Sequence, residues 1–308
     1  MTKPVICIGA SFVDELFHII EELIPATTNK AIVTKTAGGV SRNIAHQLSL
    51  LDAPVELISV FGNDSDGDRL KEICINAGIN LDASITIDGL SGKYTGILKQ
   101  DGSLLAAFVS NPAEHLLTPG HLKKHKDLLS TASWLVTDTN TPIETISWLL
   151  DFSNKENIPL IIEPVSVPPA RKLRDIDLHG LYLITPNEDE LPALCSENAF
   201  TTEKQIEELL SKGVQHIWLH NGKHGSSFYS KEKCICLHSS TVDILDSTGA
   251  GDGALSGFIL GKMLGKNDME CLKLAHTLAA EILQVHGAVA IHLNQQKLLS
   301  LVSKYHPG

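Results

Sequence analysis

The chain has 308 residues, 43% of them hydrophobic and 20% charged, and its formal net charge is −11. These values are typical of a folded globular protein and exclude a largely disordered chain. No basic cluster offsets the negative charge, which argues against a nucleic-acid partner, since nucleic-acid binding depends on neutralising phosphates. No apolar run has the length of a membrane span, and no signal-type segment precedes the first apolar run. We therefore expect a cytoplasmic protein with no membrane partner.

The six cysteines are scattered, and Cys234 and Cys236 form the only close pair in the sequence. A second pair at the spacing of a zinc site is missing. We expect reduced thiols that act as small hydrophobic side chains.

Short apolar runs alternate with segments of helical periodicity along most of the chain. The predicted strands are residues 5–8, 55–61, 134–136, 160–162, 181–184 and 217–219. Helical spacing of apolar residues lies between them, around Ile44, Leu70, Ile146 and Ile206. Strands buried on both faces and separated by helices predict a parallel sheet. The last third is predicted to be helical over 254–264, 269–285 and 295–304.

Two segments interrupt this alternation. Residues 17–36 contain two strand-like runs joined by a turn with a proline, and 84–110 contain a hairpin signal at Asp101-Gly102. We predict that about 15–37 and 84–110 form a small β-sheet lid over the strand ends, where open α/β sheets bind ligands. No repeat or linker divides the chain, so 1–308 is predicted to be one domain. The exposed strand edges of a lid favour a homodimer.

The stretch DSTGAGDG at 246–253 lies between a predicted strand at 242–245 and a predicted helix. Backbone N–H groups of Gly249, Ala250 and Gly251 would converge there on an anion, aided by the helix N-terminus. The lysine of the Gly-Lys-Ser/Thr phosphate loop is absent, and G-x-G-x-x-G is not matched.

Asp252 places a carboxylate at the opening of this anion site. It could be a first-turn acid that stabilises its helix. It could also be the base that removes the hydroxyl proton of an alcohol attacking a phosphate. We favour the base, and we expect the helix terminus to keep Asp252 ionised.

Four motifs in chain order resemble the signatures of the ribokinase-like (PfkB) carbohydrate and nucleoside kinases. They are GG-x-x-x-N at 38–43, GNDSDG at 62–67, N-x-x-E at 187–190 and DSTGAGDG. The resemblance spans nearly the whole chain. It implies a doubly wound, mostly parallel sheet flanked by helices, with ATP and Mg²⁺ as cofactors. A monovalent cation such as K⁺ near Asp246 and Thr248 is also implied.

Several stretches are most similar to the pseudouridine kinases within this family, and this resemblance implies phosphorylation of the 5′-hydroxyl of pseudouridine by ATP. They are GGVSRNIA, TDTNTP, EPVSVPPARK, TPNEDEL and HGAVA. Glu163 departs from the usual Asp before Pro-Val-Ser. Another sugar or nucleoside acceptor (ribose, adenosine or fructose) and a non-catalytic ligand sensor remain alternatives. A nicotinamide-dependent oxidoreductase is disfavoured, because GASFVDEL lacks the glycines of the dinucleotide fingerprint.

The resemblance also implies roles for individual residues. On the acceptor side, Asp14 would accept two sugar hydroxyls, Gly38 and Gly39 would allow close approach of the backbone, and Asn43 would bond a hydroxyl or cap the next helix. Asn140 and Thr139 are candidates for base recognition, and each could equally cap a helix.

The nucleotide side has its own set of implied residues. Asn187 would bind ATP, and Glu190 would hold Mg²⁺ through water, as suits an ion that keeps most of its waters. His220, Gly222 and Gly225 occupy the place of the nucleotide loop, although His220 replaces the usual Thr and could be a surface residue. Ala288 would lie beside the adenine.

Overall fold

The computed structural model describes residues 3–307; Met1, Thr2 and Gly308, at the ends of the predicted domain, lie outside the described residues. The strands are β1 (Val5–Ile8), β2 (Phe12–Ile19), β3 (Ala31–Gly38), β4 (Val55–Ile58), β5 (Val60–Gly62), β6 (Ile85–Ile87), β7 (Gly92–Leu98), β8 (Leu104–Ser110), β9 (Trp134–Asp138), β10 (Leu160–Glu163), β11 (Leu183–Ile184), β12 (His216–His220), β13 (Ser226–Tyr229) and β14 (Cys234–Leu237). The α-helices are α1 (Val40–Leu50), α2 (Ser65–Asn76), α3 (Pro119–Lys124), α4 (Lys126–Leu129), α5 (Ile143–Glu156), α6 (Val167–Ala170), α7 (Thr202–Ser211), α8 (Ala250–Met263), α9 (Asp268–Ile282) and α10 (Gln295–Tyr305). Short 3-10 helices lie at Glu114–Leu116, Arg171–Leu173, Leu191–Leu194 and Gly222–His224.

The main sheet has eight strands in the order β14-β13-β12-β11-β10-β9-β1-β4. From β4 to β12 neighbouring strands are parallel, whereas β13 and β14 add an antiparallel edge. The predicted mostly parallel sheet flanked by helices is confirmed.

Alternate residues of β1 show why this sheet is stable. Ile6 and Ile8 point into an apolar cluster with α5 and α7, whereas Val5 and Cys7 join a second cluster with α1, α8 and α9. All four residues are fully buried. A strand covered by helices on both faces removes both rows of its side chains from water, and this burial stabilises the sheet.

A separate small sheet has the strand order β3-β2-β7-β8. Strand β2 follows β1 after a short connection, pairs antiparallel with β3 and pairs parallel with β7. Strands β7 and β8 form the predicted hairpin, in which Gly102 has a φ of 80°. The predicted lid segments supply these four strands, although β2 begins before residue 15.

The small sheet is tied to helix α2 by polar contacts. Asp64, the N-cap of α2, accepts hydrogen bonds from the amides of Gly67 (2.7 Å) and Ser91 (3.0 Å). Asp66 in the first turn of α2 pairs with Lys35 of β3 at 2.5 Å and with Lys93 of β7 at 3.9 Å. The GNDSDG motif therefore joins the helix to the start of β7.

The structure corrects three predicted elements. Residues 55–61 form two strands, because β5 leaves the main sheet and pairs with β6, which is therefore not part of the small sheet. Of 181–184, Leu183–Ile184 alone is a strand. No strand forms over 242–245, where Ile244 and Leu245 are 63% and 61% exposed and Leu245 bonds instead to the end of α9.

The antiparallel edge carries the close cysteine pair. All six cysteines are free, and the sulfurs of Cys234 and Cys236 lie 3.7 Å apart on an exposed face of β14. Within residues 3–307, no helix is both long enough and apolar enough to cross a membrane.

Candidate active site

The predicted site residues gather at the carboxyl edge of the main sheet. Strand β1 lies between β4 and β9, and the chain passes from β1 to β4 on one side and later returns to β9 on the other. Such a switch point opens a crevice at the strand ends. Helices α1 and α8 both begin here, and the Nδ2 of Asn43 donates to the Oδ2 of Asp252 at 2.7 Å across 209 residues of sequence.

Asp252 lies in the first turn of α8, but it does not cap that helix. The N-cap is Gly249, and no side chain caps the helix there. The hydrogen-bond partner of the Asp252 carboxylate is Asn43 of another helix. Because Asp252 is only 8% exposed, its side chain is directed into the crevice rather than into solvent.

The environment of Asp252 changes its acidity. Burial raises the pKa of its carboxyl to about 7; the bond from Asn43 and the charge of Arg42 lower it, and Asp138 and Asp14 raise it. The expectation that the helix terminus keeps this pKa low is wrong, because desolvation outweighs the helix dipole at a buried site. A carboxylate that titrates near neutral pH is a better base than one with an ordinary pKa.

The three residues of the predicted anion site form the start of α8. Gly249 has a φ of 76°, and a Cβ at this position would lie 2.5 Å from Ala288. Only glycine fits there. At Gly251 a Cβ would meet nothing within 4 Å. The first amides of a helix have no intrahelical acceptor. The amide of Gly251 is available to an anion, whereas that of Ala250 makes a long bond of 3.4 Å to the carbonyl of Ser247, which an anion would have to replace.

The predicted acceptor residues lie where β2 and β3 leave the main sheet. Asp14 lies in strand β2, and a Cβ at Gly38 would come within 2.1 Å of its carboxylate. Burial raises the pKa of Asp14 to about 6, although the charge of Arg42 lowers it. Gly39, with a φ of 91°, is the N-cap of α1 and packs on the backbone of Ala10.

Asp138, at the end of β9, holds this region together. It is fully buried. Its Oδ2 accepts from the amide of Ala10 at 2.9 Å and from the amide and hydroxyl of Ser41 at 3.0 and 2.6 Å. The carboxylate thereby fixes the exit of β1 against the start of α1.

A polar pocket adjoins the acceptor residues. It is lined by Ser11, Ser59, Asn111, Glu114 and Asn140, among others. The hydroxyl of Ser11 is buried and has no partner within the described part of the chain. The cavity has a volume of about 10 Å³, which is enough for one water molecule but not for a nucleoside base, and Asn140 lies at its wall. Thr139, by contrast, donates its hydroxyl to Pro164 at 2.5 Å and is fully buried.

Asn187 and Glu190 are bound to each other after β11. The backbone and side-chain nitrogens of Asn187 donate to the two carboxylate oxygens of Glu190, at 3.0 and 2.9 Å. Burial raises the pKa of Glu190, and the bonds from Asn187 lower it. This closed pair presents one mostly buried carboxyl group to the crevice, which fits an ion bound through water better than a direct ligand set.

Glu163 ends strand β10 in the same crevice. Burial raises the pKa of its carboxyl well above the usual range, and the charges of Asp252 and Glu190 raise it further. Its Oε2 accepts from the amide of Val165 at 2.6 Å. Val165 has a φ of 69°, which is strained for a β-branched residue, and Ser166 bonds to Pro164 around it. The longer acid therefore supports a tight turn.

The predicted nucleotide loop follows β12. Burial, followed by His276, lowers the pKa of His220 to about 3, and its ring packs on Trp218 with centroids 4.5 Å apart. His220 is therefore neutral, so it could contact a nucleotide as an uncharged ring but not as a cation. Gly225 has no room for a side chain, since a Cβ would lie 2.0 Å from Leu237, whereas Gly222 has open space.

Asp246 joins two loops beside the anion site. Its carboxylate accepts from the amide of Thr248 at 2.9 Å and from the amide of Gly287 at 3.0 Å. Burial raises the pKa of Asp246, but these hydrogen bonds outweigh that effect and lower the pKa overall. Asp246 thus places the segment around Ala288 next to Gly249.

Comparison with known proteins identifies the family. A sequence profile of the pfkB family carbohydrate kinases matches residues 5–294. The chain belongs to the PfkB family.

Two curated relatives of this PfkB protein come from Escherichia coli (strain K12). Pseudouridine kinase is 28% identical over 260 residues, which are 82% of this chain and 82% of the relative. The uncharacterized sugar kinase YeiI is 30% identical over 253 residues, 80% of this chain and 68% of the relative. A solved ribokinase of Arabidopsis thaliana, complexed with ribose and ATP, has a TM-score of 0.84 at 21% identity, covering 98% of this chain and 99% of its own. That likeness shows the fold.

Membership of the PfkB family implies an ATP-dependent phosphotransferase that acts on a small-molecule sugar or nucleoside. Sequence reasoning missed three polar residues of this PfkB protein: Asp138, Arg42 and Glu114. Asp138 could have been found as an acid that directly follows an apolar strand. The other two carry no such signal, because their neighbours come from distant parts of the chain.

Proposed function

We propose that this protein transfers the γ-phosphate of ATP to the 5′-hydroxyl of pseudouridine. The observation that carries the proposal is Asp252, a buried carboxylate that is bonded to another helix and has a pKa of about 7. Beside it, the N-terminus of α8 with the amide of Gly251 is open to a phosphate. A base and an anion site in one crevice suit phosphoryl transfer to an alcohol.

Each side chain has a task in this reaction. Asp14 orients the acceptor through its hydroxyls, and Asp252 takes the proton of the attacking hydroxyl. The amides of Gly249, Ala250 and Gly251 stabilise the charge on the transferred group. Glu190 would hold Mg²⁺ through water, and the ion would neutralise phosphate charge. Asp246 and Thr248 would bind a monovalent cation, and Ala288 would lie beside the adenine.

The acceptor identity rests on two supports. The relative from E. coli named pseudouridine kinase covers most of this chain. Glu114 and Asn140 also lie at the wall of the small cavity beside the acceptor residues. Pseudouridine has one ring N–H more than uridine, so its base needs an additional hydrogen-bond acceptor, and a carboxylate can provide one.

An acceptor panel tests this proposal. Pseudouridine, uridine, ribose, adenosine and fructose are each supplied with ATP and Mg²⁺, and kcat/KM is measured from ADP release. We expect pseudouridine to be preferred over uridine by at least about tenfold, as the loss of one hydrogen bond of about 1.5 kcal/mol would give. Preference for free ribose would make ribose the acceptor in place of pseudouridine. If no acceptor is phosphorylated, the protein would instead be a ligand sensor.

We also propose a homodimer through the small sheet. Strand β8 is an edge strand whose two faces are both open to solvent, with Leu104, Phe108 and Val109 54%, 62% and 57% exposed. Ile32 of the opposite edge strand is 60% exposed. Exposed apolar edge strands pair readily with another copy. Sedimentation equilibrium should show a dimer that Phe108→Asp dissociates, and a wild-type monomer would reject this proposal.

We place the reaction in the cytoplasm. ATP is supplied there, and the six free cysteines suit a reducing compartment. Imaging of the tagged protein in its own cell tests this assignment.

A further inference from the structure

Arg42 is a buried cation beside the proposed base. It lies on α1 directly before Asn43, and its side chain is 2% exposed. Its hydrogen bonds go to uncharged groups: Nε donates to Gly38 at 3.1 Å, and Nη2 donates to the carbonyl of Ala37 at 2.6 Å. Nη2 also donates to the Oδ1 of Asn43. A buried guanidinium is costly to maintain, and none of the roles in the proposed reaction belongs to Arg42.

His46 completes the set of partners that fixes the guanidinium. Its Nδ1 lies 3.2 Å from Nη1 of Arg42. Burial, followed by the charge of Arg42, lowers the pKa of His46 to about 4. The imidazole is therefore neutral at physiological pH, and its Nδ1 can accept from Arg42. With these partners the planar guanidinium has one orientation.

This orientation determines that of the Asn43 amide. Because Arg42 donates to Oδ1, the NH₂ group of Asn43 must face the other way, towards Asp252. A flipped amide would place its NH₂ against the guanidinium and its oxygen against a carboxylate. We propose that Arg42 is a positioning residue, which acts through Asn43 to aim the Asp252 carboxylate at the acceptor hydroxyl. This inference rests on the proposed function of Asp252.

Arg42 also supplies the positive charge in an acidic surrounding. Two other carboxyl groups raise the pKa of Asp252: Asp138 from β9 and Asp14 from β2. Arg42 is the cation that opposes them at Asp252, and it also lowers the pKa of Asp14. Its removal would leave the base misdirected and harder to ionise.

Two substitutions separate orientation from charge. Arg42→Lys keeps the charge but loses the planar set of donors, and Arg42→Met loses both. We expect Arg42→Met to lower kcat about 100-fold, the cost of a misplaced reacting group, with the KM for ATP within about twofold of wild type. The pH below which kcat falls, its acid limb, should rise by about one unit, because the loss of a nearby positive charge shifts a pKa by about that much. Arg42→Lys should lower kcat about tenfold without moving the acid limb.

Arg69→Met is the matched control. Arg69 lies on α2 and is exposed, so this variant removes the same charge and adds the same side chain away from the crevice. We expect its kcat, KM and acid limb to equal those of wild type. Melting temperatures of all variants show whether each is folded.

A readout independent of turnover separates this inference from the acceptor assignment. Aspartate labelled with ¹³C at Cγ allows the Asp252 carboxyl to be titrated by NMR, with Asp252→Asn assigning its signal. The pKa of Asp252 should rise in folded Arg42→Met and stay unchanged in Arg42→Lys and Arg69→Met. If wild type phosphorylates no acceptor, the proposed function fails, and this titration still decides whether Arg42 controls Asp252.

Two results would overturn the role of Arg42. One is Arg42→Met with the kcat of wild type and an unmoved Asp252 titration. The other is an equal loss of kcat in both Arg42 variants, with lowered melting temperatures, a raised KM for ATP and an unmoved titration. That pattern would show that Arg42 contributes only to packing.

Discussion

The two sides of the candidate active site are built differently. On the acceptor side, buried side chains bond across distant elements, as Asn43 does with Asp252 and Asp138 with Ser41. On the nucleotide side, Gly222 and Gly251 face open space, and Asn187 and Glu190 bond to each other. The acceptor side is thus fixed in advance, whereas the nucleotide side leaves room for a large ligand.

This difference teaches where a substitution should act. A fixed acceptor side orients the reacting hydroxyl, so changes there should lower kcat or acceptor use. An open nucleotide side binds through backbone groups, so added side-chain atoms there should weaken ATP use. The following substitutions test this division, beginning with the largest expected effect.

Asp252→Asn should lower kcat about 10²–10⁴-fold and leave the KM for ATP unchanged, because it removes only the proton acceptor. Steady-state kinetics with ATP varied and the acceptor saturating measures both. Near-full turnover would remove Asp252 as the base.

The same variant should be more stable than wild type at high pH. The pKa of Asp252 is raised from 3.8 to about 7, so the folded state binds the proton more tightly than the unfolded state. The destabilisation of wild type therefore grows as the pH rises from about 4 and is complete above about 7. Thermal melts should show a gain of about 4 kcal/mol for Asp252→Asn at pH 8 that disappears near pH 4.

Asp14→Asn should lower kcat/KM for the acceptor about 10–100-fold, because the hydroxyls lose a charged partner worth about 1.5–3 kcal/mol. Glu15→Gln on the same strand is its control, since Glu15 pairs with Lys93 of the small sheet. Kinetics with the acceptor varied distinguishes them. If the KM for ATP changed more than kcat/KM for the acceptor, Asp14 would belong to the nucleotide side of the site.

Gly251→Ala should lower kcat/KM for ATP about tenfold, because a methyl group would occupy the space of the phosphate. Its melting temperature should not fall, since the Cβ meets nothing within 4 Å and alanine favours a helix by about 1 kcal/mol over glycine. Gly120→Ala in α3, away from the site, controls for the helical effect. Unchanged ATP kinetics in Gly251→Ala would mean that no phosphate binds there.

Glu163→Gln should change kcat less than about twofold near pH 7. Burial and neighbouring acids raise the pKa of Glu163, which favours its protonated form, and Gln keeps an oxygen for the amide of Val165. Kinetics at several Mg²⁺ concentrations checks this. A tenfold loss with a higher Mg²⁺ requirement would show that Glu163 is ionised and serves the metal.

The sequence predicted local features well and distant contacts poorly. The glycines of DSTGAGDG form the start of a helix because φ and close packing at Gly249 are set within a few residues and by Ala288. The bond between Asn43 and Asp252 depends on the packing of α1 against α8, which no short pattern encodes. The same holds for Arg42, whose partners became visible only in the structure.

Strand limits failed for a related reason. Residues 55–61 form one apolar run in the sequence, yet β5 leaves the main sheet and pairs with β6. The position of a neighbouring strand, rather than strand propensity, determines this pairing. Residues 242–245 have the composition of a strand but no strand beside them, so they lie exposed against α9.

Asp138 and Asp64 have a consequence for how the crevice opens. Asp138 secures the backbone between β1 and β2 and the beginning of α1 just after β3, and Asp64 secures the residue before β7. A swing of the small sheet about these joints would break hydrogen bonds of two carboxylates. When a substrate enters, we therefore expect the strands of the small sheet to bend along their length, while their ends bonded to Asp138 and Asp64 stay in place.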